Sequence, residues 1–209
     1  MLSCYVWSAY IIFIVLDLLS FGVKTSNLIK YSIIVALFFH SLLLSFVEQK
    51  QSKISSQRIL VTVALFIVLC ADYLLLFTEY FSVGVHCFIA VQCVYKKMID
   101  LKINETAKWK NCKKSLLFLA LQGILFVVFP KQFLYIVVGQ YACLLLWNMF
   151  TSWNYYKETS HIIPLAITML FLCDCNVMLA NITNYTIFWR LIWIFYIPSQ
   201  FLLEKYVDV

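Results

Sequence analysis

Two aspartates stand where a carboxylate is costly: Asp72 within the apolar run 59–77 and Asp174 within the apolar run 162–180. An ionisable group inside hydrocarbon costs a few kcal/mol on insertion scales and is kept where it has a partner or a task. Two such groups facing one cavity can divide the work of acid catalysis. Facing one cavity, they can share a proton or a water. Burial and like-charge repulsion hold two neighbouring carboxyls in different protonation states. If both face one cavity, their carboxyls should lie within about 10 Å of each other, close enough to flank a bond with a water between them.

Further polar residues belong to the same layer. Asp17, His86, Gln140, Tyr141, Tyr196 and Gln200 each interrupt an apolar run of their own. Helical phase sorts some of them. Gly84, Phe88, Gln92 and Tyr95 follow i, i+4, i+8, i+11 and form one stripe, while His86 is about 200° around the helix from Gly84. Gln92 is therefore expected to line the cavity within hydrogen-bond reach of one aspartate, and His86 to face a neighbouring helix. Trp189, Trp193, Tyr196 and Gln200 form another stripe, in which the two tryptophans read as interfacial anchors. Asp17 is open between a third place in the site and a hydrogen bond inside the bundle.

These residues need elements that hold them inside a membrane. The chain has 209 residues, 64% hydrophobic and 12% charged, which is too apolar for a soluble domain. Runs long enough to cross a bilayer, or nearly so, lie at 5–21, 28–47, 59–77, 80–95, 115–129, 133–150, 162–180 and 187–203. The reading is all-α: a polytopic membrane protein of eight transmembrane helices, forming a single bundle and a single domain over 1–209. No basic residue precedes the first run, so it reads as a retained span rather than a cleaved signal.

Charge sets the orientation. The connection 96–114 holds seven lysines, and twelve of the sixteen Lys and Arg fall on the face that carries it and both termini. By the positive-inside rule both termini are cytoplasmic. Asp72 and Asp174 then lie at matching depth, roughly 8 to 9 Å below the outer ends of their spans at 1.5 Å per residue. The eight cysteines include no Cys-x-x-Cys and lie mostly inside spans, where they read as small apolar filler. His40 and His161, near cytoplasmic ends, read as interfacial polarity. The three histidines are not clustered as a metal site would want.

The order of these pieces resembles a known family. Cys-Ala-Asp72, then Gly84-x-x-x-Phe88-x-x-x-Gln92-x-x-Tyr95, Tyr141, Phe171-Leu-Cys-Asp174 and Tyr196-x-x-x-Gln200 are similar to the lysoplasmalogenase or YhhN-like membrane proteins. Lys30 also sits where that family has a Lys, and the likeness runs from Lys30 to about Leu203. Three positions depart from the pattern: Ala71 and Cys173 replace a Gly and a Ser, and Gln92 replaces a His. Gln offers donors and an acceptor but does not titrate, so it can orient a partner and cannot transfer a proton.

The resemblance implies hydrolysis of the vinyl ether of a lysoplasmalogen to a fatty aldehyde and glycerophosphoethanolamine or glycerophosphocholine. It implies Asp72 and Asp174 as the catalytic pair, with Lys30, Gln92, Tyr95, Tyr141, Tyr196 and Gln200 around the substrate. A lysophospholipid and membrane lipid are the partners, with no nucleic acid, cofactor or metal required. Two other readings stay open: a proton-coupled carrier or channel that uses the aspartates as a relay, and an inactive relative that binds lysolipid.

Overall fold

The computed structural model describes residues 2–18, 23–50, 55–103, 133–159 and 161–206. Long apolar runs with few glycines and prolines satisfy their own backbone only as helices when no water is at hand. Helices account for nearly all of these residues: α1 (Leu2–Leu18), α2 (Val23–Lys50), α3 (Ser56–Phe77), α4 (Phe81–Ile103), α5 (Phe133–Asn154), α6 (Tyr156–Thr159), α7 (Ile162–Thr183) and α8 (Thr186–Lys205). The short links have local causes. Ser55 caps α3 by accepting from the Arg58 N–H at 3.0 Å. Between α7 and α8, Asn184 takes the left-handed conformation with φ 56° and donates its N–H to the Ala180 carbonyl at 3.0 Å, a C-cap that asparagine tolerates well.

Sequential helices pack side by side, and α2, α5 and α7 also meet helices distant in sequence: α2 lies on α8, and α5 on α7. The shared core is built from Ile33 and Leu37 of α2, Leu65 and Val68 of α3, Val91 of α4 and Ile167 of α7, among others. The opposite faces carry Leu43, Phe46, Phe66, Trp147, Phe150 and Ile182 fully outward. An apolar surface on that scale suits lipid rather than water.

Two close contacts shape the end of the bundle that holds Asp72. A Cβ built on Gly84 of α4 would come within 2.8 Å of Leu75 and 3.4 Å of the Ala71 carbonyl, so α3 and α4 pack closely where Asp72 projects. Pro198 lies inside α8 and cannot donate to the Ile194 carbonyl one turn back. Tyr10 of α1 fills that gap with a hydrogen bond of 2.9 Å to the Ile194 carbonyl, which ties α1 to α8.

The structure corrects the expected span count and some boundaries. Four helical segments among the described residues are long and apolar enough to cross a membrane: Ser26–Gln49, Ser56–Phe77, Ile162–Thr183 and Thr186–Lys205. Eight transmembrane helices are not supported on that measure. The described part of α1 covers 17 residues, and α4 dilutes its apolar run with His86, Gln92, Lys96 and Lys97. The expected span 115–129 lies outside the described residues. The connection expected to open at residue 96 begins later, because α4 continues to Ile103 with Met98 and Ile99 in the core.

Candidate functional site

Asp72 and Asp174 reach the interior from α3 and α7, and each is held by a tyrosine from another helix. Asp72, 3% exposed, accepts from the Tyr196 hydroxyl of α8 through both carboxyl oxygens, at 2.9 and 2.8 Å. Asp174, half-buried, accepts through Oδ2 from the Tyr141 hydroxyl of α5 at 2.6 Å. No cation stands within ion-pair distance of either carboxyl among the described residues. Cys173 lies buried within electrostatic range of both aspartates.

Aromatic rings connect the two pairs. Phe88 of α4 packs edge-on against both Tyr141 and Tyr196, with centroids 6.2 and 6.3 Å away. Trp193 stacks perpendicular to Tyr196 at 5.3 Å, and the Lys30 ammonium sits 5.2 Å from the Trp193 ring centre. Lys30 is buried, an uncommon position for a lysine, and reaches the site through that ring rather than through a carboxylate of the pair. Trp193 thus does more than anchor an interface.

Behind the tyrosines lies a layer of buried amides. The Tyr95 hydroxyl donates to Gln200 Oε1 at 3.0 Å. Asn148 Nδ2 donates to both the backbone carbonyl and Oε1 of Gln92, each at 2.9 Å. Gln92 therefore faces inward, but it makes no hydrogen bond to either aspartate. Phase along one helix fixes a direction and leaves open which neighbour waits there. His86 of the same helix is half-buried. The side chain of Asp17 lies outside the described set.

The sequence reading missed Asn148 and a charged cluster. Asn148 follows Tyr141 by seven residues, two helical turns on the same face, and that spacing was the available signal. The cluster centres on Glu204, which follows Tyr196 and Gln200 at steps of four. Its Oε1 lies 2.8 Å from His40 Nδ1 and 3.5 Å from Arg58 Nη1; Lys205 Nζ is 3.7 Å from Oε2, and Arg58 Nε reaches Glu48 at 3.2 Å. His40 is thus an internal partner rather than interfacial polarity alone. Arg58 and Glu204 are both buried.

Carboxyls served by phenol hydroxyls, with no cation at ion-pair distance among the described residues, can give, take or share protons in a water-poor setting. No group of His, Cys, Asp and Glu suited to a metal ion occurs among the described residues. No curated protein and no solved structure matches the chain. The YhhN family model matches residues 25–207. That match covers both aspartates, both tyrosines and the amide layer behind them, and the chain belongs to the YhhN family of membrane proteins.

Proposed function

We propose that this protein is a membrane-embedded hydrolase that cleaves the vinyl ether bond of lysoplasmalogens. YhhN membership supports the substrate class, and the observation that carries the chemistry is the pair of intramembrane aspartates, each bonded to a tyrosine hydroxyl rather than to a cation. A vinyl ether resists base and yields to acid. The neutral carboxyl of the pair protonates the alkene carbon remote from the ether oxygen, and the cation that forms is an oxocarbenium on the adjacent carbon. The charged carboxyl stabilises that cation and takes a proton from the water that adds to it. The resulting hemiacetal collapses to fatty aldehyde and the glycerophospho-alcohol. Tyr196 and Tyr141 steady the carboxyls, and in this reading Lys30 binds the phosphate of the substrate. In this reading both termini are cytoplasmic.

Gln92 in place of a family histidine favours a second reading, in which the protein binds lysolipid without turning it over. One experiment separates the two. Purified protein in detergent, given a lysoplasmalogen or the matching ester lysolipid, should release aldehyde from the first alone. Tight binding of both with no aldehyde would replace hydrolysis with binding.

A further inference from the structure

Three buried polar atoms of the amide layer close no hydrogen bond with any described residue: Gln92 Nε2, Asn148 Oδ1 and Gln200 Nε2. Gln92 and Gln200 are fully buried and Asn148 is 1% exposed, so bulk water does not answer them. Turning the amides over does not remove the deficit. The Gln92 and Asn148 side chains share one hydrogen bond, from Asn148 Nδ2 to Gln92 Oε1. With both turned, that bond would reverse and again leave one donor and one acceptor unanswered. Asn148 Oδ1 would also face the Gln92 backbone carbonyl, which now accepts from Nδ2. Gln200 spends its oxygen on the Tyr95 hydroxyl at 3.0 Å, which leaves its NH2 group.

Two amide donors and one amide acceptor fit a partner that both accepts and donates. A hydroxyl does both, and full burial favours the smallest, water, which inside proteins typically makes about three hydrogen bonds to such groups. The layer adjoins the aspartate pair. Gln200 lies one helical turn from Tyr196 on the same face of α8, and Gln92 lies one turn from Phe88, whose ring packs against both Tyr141 and Tyr196.

We propose that Gln92, Asn148 and Gln200 form a binding site for internal water and that this site supplies the water consumed in hydrolysis. The water oxygen bonds the oxocarbenium carbon and its proton goes to the charged carboxyl, as in the hydrolysis set out above. This gives Gln92 a task without titration, because an amide NH2 donates at every pH. The use of the water rests on the hydrolase reading; its binding does not.

Hydroxyl-radical footprinting of the full chain in nanodiscs, in heavy-oxygen water, detects internal water, since radicals made from a held water oxidise the side chains beside it. Tyr95 is 2% exposed and bonded to Gln200, and in wild-type protein it should be oxidised and carry the label. In the double variant Gln92→Leu with Gln200→Leu, that oxidation should be lost, and aldehyde turnover should fall roughly tenfold with little change in KM. A merely structural defect would do the opposite, raising Tyr95 oxidation by admitting bulk water. Wild-type Tyr95 that stays unoxidised, or oxidation that persists or rises in the double variant, overturns the water site. Lost oxidation with unchanged turnover overturns its supply to the reaction. If the double variant fails to fold, each single variant must lower Tyr95 oxidation, and unchanged oxidation in both overturns the site equally. Should wild-type protein release no aldehyde, the hydrolase reading falls while the footprint still decides whether the amides hold water.

Discussion

One helix, α8, serves two buried acidic layers of opposite character. Tyr196 and Glu204 are eight residues apart, roughly 12 Å along the axis at 1.5 Å per residue. At the first level Asp72 is met by a phenol hydroxyl; at the second Glu204 is met by Arg58, His40 and Lys205. A carboxylate surrounded by cations has its charge answered, and removing one partner leaves the rest uncompensated. A carboxyl met by a hydroxyl, with no cation at ion-pair distance among the described residues, keeps its proton affinity open to a further partner. The contrast separates groups that hold the bundle together from groups held for chemistry, though both are acidic and both are buried.

Stability should break along this line. Glu204→Leu removes the buried carboxylate that Arg58, His40 and Lys205 share and should lower stability by about 3 kcal/mol. Asp72→Asn keeps the shape and the hydrogen bond from Tyr196, removes a costly charge, and should leave stability unchanged or raise it. Thermal unfolding in one detergent compares the two. A strong loss in Asp72→Asn would put both layers in the structural class.

The tyrosines sharpen the comparison at a smaller scale. Tyr196→Phe removes one hydroxyl from Asp72 while Phe88 and Trp193 still pack the ring, so turnover should fall about tenfold with the protein intact. Smaller again is Tyr10→Phe, which leaves the Ile194 carbonyl unanswered beside Pro198 and should cost about 1 kcal/mol of stability with no direct effect on turnover. A kinetic defect larger than that of Tyr196→Phe would mean that the docking of α1 shapes the site.

Much of the site can be read from the sequence because charge inside hydrocarbon is rare enough to notice. Asp72 and Asp174 stand out for that reason, and the stripes of α4 and α8 place Gln92 and Gln200 inward. Pairing is harder to read. The Tyr141 contact with Asp174 and the Asn148 contact with Gln92 depend on how α5 sits against α4 and α7, which phase along one helix does not determine. Arg58 and Glu204 lie near helix ends, where a charge ordinarily reads as facing water. Lys96 and Lys97 masked the continuation of α4 in the same way, although Met98 and Ile99 carry its apolar stripe one turn further. The apolar runs announce helices, while the number that cross the membrane also depends on polar residues that neighbouring helices satisfy.

The most direct measurement sets the two layers side by side. Aldehyde release from a lysoplasmalogen is compared for wild-type protein, Asp72→Asn, Asp174→Asn and Glu204→Gln, each normalised to its folded fraction. The account predicts a loss of roughly a thousandfold in each aspartate variant and near wild-type turnover per folded molecule in Glu204→Gln. Substantial turnover in either aspartate variant, or a folded but inactive Glu204→Gln, would contradict it.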